Sequence, residues 1–271
     1  ASELKELTSG DIYFIHLADI VAGIDYVFNN QYEILKENQS IDLAAFELAK
    51  ELDVKKIIYA STACVFNRMS QTSIKSKVSI SKDLYPAFPE STYGWAKLFG
   101  EIALFQLFEK SAVASVIYFH NIIGIPCDYW SEKSQVTPAI AQRILLARTK
   151  GLSEIVVWGS GKQGRALLPV KIAANYLKQK LFDQDYKDRY QFGPDVCTSI
   201  NAIAKHFISL NKEPMKIIND LSKPEGDKGR SIAKQDVDPN WIFSDNVVKK
   251  TLTEVYQWIE SKFETAHKIK S

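Results

Sequence analysis

Cysteine is scarce: Cys64, Cys127 and Cys197 stand far apart in a chain of 271 residues. With no Cys-x-x-Cys spacing, they exclude a disulfide framework and a thiolate zinc site, and they suit a reducing compartment. Excess charge is also missing, since 34 Lys and Arg face 32 Asp and Glu for a formal net charge of +2. A surface so balanced has no broad basic field, so neither nucleic acid nor a membrane surface is expected as a partner. No apolar run approaches the roughly eighteen residues of a spanning helix. The start, Ala1-Ser2-Glu3-Leu4-Lys5-Glu6, is polar, so neither export nor spanning is expected and the cytoplasm is the expected location. Internal repeats and low-complexity segments are absent.

The chain is 46% hydrophobic and 24% charged, enough for one large domain or two lobes with a substantial core. Asp11 to Leu17 reads as a strand, Asn38 to Leu52 as a helix, and Lys56 to Ser61 as a buried strand. That order predicts a right-handed parallel crossover. Ser91 to Lys110 is the next expected helix and Ala114 to Phe119 the next strand, so the fold class is α/β with a doubly wound parallel sheet. Its carboxyl ends carry Ala18, Thr62 and Asn121, the edge where ligands bind in such sheets. From about Pro126 the pattern loosens into helices at Ser134 to Ala147, Ile172 to Phe182, Ser199 to Leu210 and Asn246 to Phe263. Short strands at Ile155 to Trp158 and Leu167 to Val170 lie between them.

Tyr93-Gly94-Trp95-Ala96-Lys97 is the most informative local pattern. Four residues apart on a helix, Tyr93 and Lys97 share a face, and an ammonium beside the phenol would favour its phenolate. The strand ending in Ser61-Thr62-Ala63-Cys64 could bring a hydroxyl to the same substrate oxygen. Taken alone, Tyr-x-x-x-Lys is common on helices; its context is what gives it weight. Pro86, Pro89, Glu90 and Ser91 form a turn and a helix cap ahead of it.

Further landmarks recur in order: Phe14-Ile15-His16-Leu17-Ala18-Asp19, Asn38, Phe119-His120-Asn121-Ile122-Ile123-Gly124, Val136-Thr137-Pro138-Ala139, Trp158-Gly159-Ser160-Gly161, and Lys223-Pro224-Glu225-Gly226 leading to Gly229-Arg230. Together with the Tyr93 and Thr62 segments they resemble the extended short-chain dehydrogenase/reductase family of nucleotide-sugar epimerases and dehydratases, over nearly the whole chain. The Ser-Thr-Ala-Cys turn, the Phe-His-Asn run and the Pro-Glu-Gly…Gly-Arg segment are most similar to the branch that 3,5-epimerises GDP-mannose-like sugars.

The resemblance implies an NAD-binding Rossmann-like domain over residues 1–125 and mainly a substrate lobe over 126–271, with some segments returning to the sheet. It implies NAD as cofactor, in preference to NADP, with Leu17, Ala18, Asn38, Ala60, Ser61, Tyr93, Lys97 and Phe119 around it. The implied substrate is a nucleotide-diphosphate sugar held by Thr62, Asn121, Val136, Arg165 and Arg230, and the implied assembly is a homodimer. Trp95, Phe99, Leu104, Phe105 and Phe108 read as core or as the dimer helix face. In the implied reaction Tyr93, with Lys97 and Thr62, interconverts a sugar hydroxyl and a transient ketone.

Cys64 reads two ways. It is the base that removes the hydrogen next to the ketone, or it is a buried side chain filling space. Lys133 is the nearest partner acid, because Gln135, ahead of Val136 and Pro138, cannot transfer a proton; its other reading is an ordinary loop lysine. His16 and His120 are assigned to structure. A dinucleotide fold ordinarily opens with a glycine-rich turn, and no glycine cluster precedes Gly23, so the first strand-turn-helix is expected to be missing from this stretch of chain. Three functions follow: a 3,5-epimerase, a 4-epimerase or reductase with a passive Cys64, or a catalytically silent binding or scaffold subunit.

Overall fold

The structure, a computed structural model, describes residues 10–109, 113–183 and 187–268. The polar start, Ala1 to Glu6, and the expected helix end at Lys110 lie outside the described residues.

In chain order the main strands are β1 (Tyr13–His16), β2 (Lys56–Thr62), β3 (Ala114–Phe119), β4 (Asn121–Ile123), β5 (Glu154–Trp158), β6 (Leu167–Pro169), β7 (Arg189–Phe192) and β8 (Lys216–Asp220). The main helices are α1 (Ile24–Asn29), α2 (Gln31–Glu51), α3 (Thr92–Leu107), α4 (Val136–Thr149), α5 (Val170–Phe182), α6 (Ile200–Leu210) and α7 (Asp245–Lys268). The central sheet is parallel throughout, in the order β1-β2-β3-β7.

Helices cover both faces because the side chains of β2 and β3 are apolar on both. Ile57, Tyr59, Val116 and Tyr118 meet Phe46 of α2 and Leu98, Leu104 and Phe105 of α3. Ile58 and Ile117, one residue out of phase, meet Tyr176, Leu177 and Leu181 of α5. This period-two division is what a doubly wound sheet requires. A separate core joins α4, α6 and α7 around the parallel pair of β5 and β8. A second small parallel pair, β4 with β6, leads from the end of β3 into α5.

Some boundaries differ from expectation. Helix α2 starts at Gln31, seven residues ahead of Asn38, because Ile34 already buries its side chain there. Helix α5 starts at Val170, directly on Pro169, whose extended backbone ends β6. Strand β7 was not expected; the charged Asp188 and Arg189 hide a short strand whose Tyr190, Gln191 and Phe192 are buried beside β3. Ser199 caps α6 as expected, its hydroxyl accepting from the Ala202 N–H at 3.1 Å. Among the described residues no helix is long and apolar enough to cross a membrane.

Candidate active site

The carboxyl ends of β1, β2 and β3 open into one cavity of about 670 Å³. Strand β2 ends in Ser61 and Thr62, and the Thr62 hydroxyl accepts from the Cys64 N–H at 3.2 Å, which folds Ala63–Val65 into a tight turn under the cavity. Helix α3 begins against that turn. A Cβ on Gly94 would stand 2.3 Å from the Cys64 carbonyl oxygen and 2.7 Å from Cβ of Pro89, so only glycine admits this approach. The approach sets Tyr93 next to Thr62, with which it shares a hydrogen bond, and next to Cys64.

Burial raises the Tyr93 phenol well above its ordinary value, and Cys64 adds to the rise; the Thr62 hydrogen bond and the Arg230 charge act the other way. The expected lowering by Lys97 is not the dominant effect. Lys97, 3% exposed, places its ammonium 4.3 Å from the Tyr59 ring centroid and in contact with Asp19 Oδ2. Burial pushes Lys97 down to about 7, while a carboxylate in contact favours the ammonium.

The sulfur of Cys64 faces a cation. Arg230 Nη2 donates to Sγ at 2.9 Å, while Nη1 donates to Gln71 Oε1 at 3.0 Å and to Asp227 Oδ2 at 2.8 Å. At this distance the guanidinium sets a full positive charge against the sulfur. Arg165 is fixed by the backbone carbonyls of Gly164 at 2.8 Å and Asp227 at 3.0 Å. Glu90, raised by burial and then by Asp227, lies within the same charged group.

The cavity brings together most of the expected residues: Leu17, Ala60, Ser61, Thr62, Cys64, Tyr93, Lys97, Phe119, Asn121, Val136, Arg165 and Arg230 all line it. Three are elsewhere. Ala18 is not among the lining residues. Asn38 is fully buried behind the loop after β1, where Oδ1 accepts from the Ile20 N–H at 2.7 Å and Nδ2 donates to the Ile20 carbonyl at 3.2 Å. Lys133 faces an adjoining cavity of about 240 Å³ and lies 5.2 Å from the Tyr26 ring centroid. Both histidines have structural partners. His16 contacts Asp42 at 2.7 Å, and His120 accepts from Gln191 Nε2 at 2.9 Å.

Asp19, Gln71 and Asp227 were not assigned roles from sequence. Asp19 had one signal, a carboxylate shortly beyond a strand end; Gln71 had none, since its partner Arg230 comes from a distant segment, whereas Asp227 pairs with Arg230 only three residues along the chain. Asp19 Oδ1 and Ser61 Oγ are buried with no hydrogen-bond partner, and both residues line the cavity. Ribose hydroxyls would satisfy such atoms, so the residues at this end fit the nicotinamide side of a dinucleotide.

The profile of the NAD dependent epimerase/dehydratase family matches residues 2–178. GDP-mannose 3,5-epimerase of Arabidopsis thaliana is 25% identical over 262 residues, covering 96% of this chain and 68% of that protein. GDP-L-fucose synthase of Escherichia coli (strain K12) is 22% identical over 251 residues, covering 88% and 77%. Among solved structures, a GDP-L-fucose synthetase from Naegleria fowleri bound to NADP superposes with a TM-score of 0.74 at 22% identity, over 93% of this chain and 77% of that one. UDP-glucose 4-epimerase of Thermotoga maritima with UDP-glucose gives 0.70 at 19% identity, over 96% and 81%.

Proposed function

The chain belongs to the NAD dependent epimerase/dehydratase family, and from that premise we propose that it is a nucleotide-sugar epimerase acting through a transient 4-keto sugar, with 3,5-epimerisation of a GDP-mannose-like substrate as its reaction. One observation carries this reading: Tyr93, Thr62 and a Cys64 sulfur held 2.9 Å from Arg230 Nη2 converge on one cavity. A nicotinamide dinucleotide held by Leu17, Ala60, Ser61, Lys97 and Phe119 would supply a reversible hydride acceptor.

Burial favours the neutral phenol, so Tyr93 acts as base only as the phenolate that a charged Lys97 and a bound nicotinamide cation would favour; in that form it takes the proton of the sugar hydroxyl as that carbon becomes a ketone, and returns it when the ketone is reduced. Thr62 donates to the same oxygen and so fixes the sugar's orientation. The ketone acidifies the hydrogens on the two flanking carbons. Cys64, as the thiolate paired with Arg230, removes one of these as a proton; reprotonation on the opposite face inverts the centre. Asn121 and Arg165 line the same cavity, and a diphosphate there would meet a guanidinium fork.

A second reading has one observation in its favour. Lys133, the partner acid expected from the sequence, lines the adjoining cavity. Without a partner acid the site performs only the ketone chemistry of a 4-epimerase or reductase, and Cys64 is passive. Incubation with GDP-mannose in D₂O separates the two. Deuterium is expected at C3 and C5 with the native protein, none with Cys64→Ser, and Tyr93→Phe is expected to lose turnover about 1,000-fold. Deuterium incorporation that survives Cys64→Ser rules out the thiolate as base.

A further inference from the structure

Asp19 has no part in the chemistry described above, yet it is the carboxylate in contact with Lys97, and its side chain is 1% exposed. We propose that Asp19 is a positioning residue of the site: its carboxylate holds the Lys97 ammonium charged, against the Tyr59 ring and at the cavity wall.

Three observations support this. The first is that Asp19 is fixed from outside. The next residue, Ile20, is clamped at both backbone polar atoms by Asn38, which accepts from the Ile20 N–H at 2.7 Å and donates to the Ile20 carbonyl at 3.2 Å. Asn38 is itself buried in the middle of α2. A helix side chain thus sets where the loop after β1 presents its carboxylate.

The second is that other acids near Lys97 are already engaged. Asp42 of α2 accepts from the Tyr59 hydroxyl at 2.6 Å and pairs with His16 at 2.7 Å. Glu101, four residues along α3, accepts from the Tyr118 hydroxyl at 2.5 Å and from Arg189 Nε at 2.8 Å. Tyr93 on the same helix is held neutral by burial. Tyr59 offers the face of its ring at 4.3 Å, a favourable but weak contact for a cation. Burial drives Lys97 down to about 7. Direct contact with a carboxylate restores the ammonium.

The third is that Asp19 Oδ1 has no hydrogen-bond partner although it is buried. A purely structural carboxylate in a core has both oxygens satisfied. This one keeps an oxygen towards the cavity it lines, so the same side chain that orients Lys97 can accept from a hydroxyl of whatever binds there.

The functional meaning rests on reading Tyr93 and Lys97 as the proton-handling pair, but the test needs neither substrate nor cofactor. The purified protein is treated with trace acetic anhydride from about pH 6 to about pH 11, and Lys97 acetylation is read by mass spectrometry against the exposed Lys205. Only the free amine reacts, so the midpoint reports when Lys97 loses its proton. In the native protein the midpoint is expected near or above the ordinary lysine value of about 10.4. In Asp19→Asn it is expected to fall by at least about two pH units, giving about 100-fold faster labelling near pH 8. Asp19→Glu, which restores the charge, is expected to recover most of the native midpoint. A native midpoint near 7 overturns the proposal with no variant needed, as does an Asp19→Asn profile superimposable on the native one. Loss of the epimerase reading would appear instead as absent deuterium exchange with an unaltered labelling result.

Discussion

Arg230 uses both terminal nitrogens on protein partners: Cys64 Sγ, Gln71 Oε1 and Asp227 Oδ2, at 2.9, 3.0 and 2.8 Å. Its Nε is buried without a partner. From sequence it reads as a substrate ligand; in the structure its terminal nitrogens are taken by protein partners, the Cys64 thiol among them. That difference explains which parts of the site are legible in a single chain. Tyr93 with Lys97, and Thr62 with Cys64, line one cavity, and each pair is legible because it is local, one set by helical spacing and the other by a strand end. The Arg230 contacts join residues 166 and 159 positions apart, and no local pattern encodes them. Removing the guanidinium strands Asp227, itself 7% exposed. Arg230→Met is expected to lower the unfolding free energy by about 3 kcal/mol, the usual cost of leaving a buried charge unpaired, measured by urea denaturation. Asp227→Asn added to Arg230→Met should recover part of that loss, and Cys64 alkylation should slow in both variants, since neither keeps the guanidinium. An unchanged urea midpoint for Arg230→Met would refute this account of the cluster.

Helix α3 carries glycine at two interior positions, where glycine ordinarily costs about 1 kcal/mol against alanine. Both are close approaches. Gly94 meets the Cys64 carbonyl, and a Cβ on Gly100 would stand 2.4 Å from both Asp42 Oδ2 and the Tyr59 hydroxyl. The helix therefore sits down on β2 and α2 at two points, one at the site and one beneath it. Gly94→Ala pushes the α3 start off the Ala63–Val65 turn. The overpacking is expected to cost about 1–3 kcal/mol, and the displaced Tyr93 to lower turnover about 100-fold. Turnover falling while the melting temperature holds would locate the effect in Tyr93 alignment; native turnover would show that the approach is not needed. At this scale the sequence is legible where apolar periodicity is strong, as in α3, β2 and β3. Strand β7 escapes because strand pairing with β3, not composition, makes Arg189–Phe192 extended. The early start of α2 escapes because Ile34 is buried by tertiary contact.

The four-stranded sheet, its two helical faces and the α4-α6-α7 core meet where β3 ends, and His120 stands at that junction. Its Nε2 accepts from Gln191 of β7, whose amide also donates to the Val78 carbonyl at 3.2 Å. A Cβ on Gly193 would fall 2.5 Å from the His120 ring, so β7 is closed directly over it. Burial, with the Arg230 charge adding to it, pushes His120 down to about 3, against about 6.5 in an unfolded chain. Between those values the unfolded state binds the extra proton. The contribution of His120 is therefore complete above about pH 6.5 and is lost as pH falls towards 3, at up to about 1.4 kcal/mol per pH unit. Glu90 and Glu101, both raised by burial, act in the opposite sense, since each folded carboxyl keeps its proton longer than the unfolded one. Comparing two proteins that share those carboxyls isolates the histidine. His120→Asn retains an acceptor for Gln191 and cannot titrate, so its unfolding free energy between pH 6.5 and 4 should fall less steeply than that of the native protein. The check is a series of urea titrations at pH steps across that window. Parallel curves would mean that His120 is already protonated in the folded molecule, and that the Gln191 amide is turned the other way.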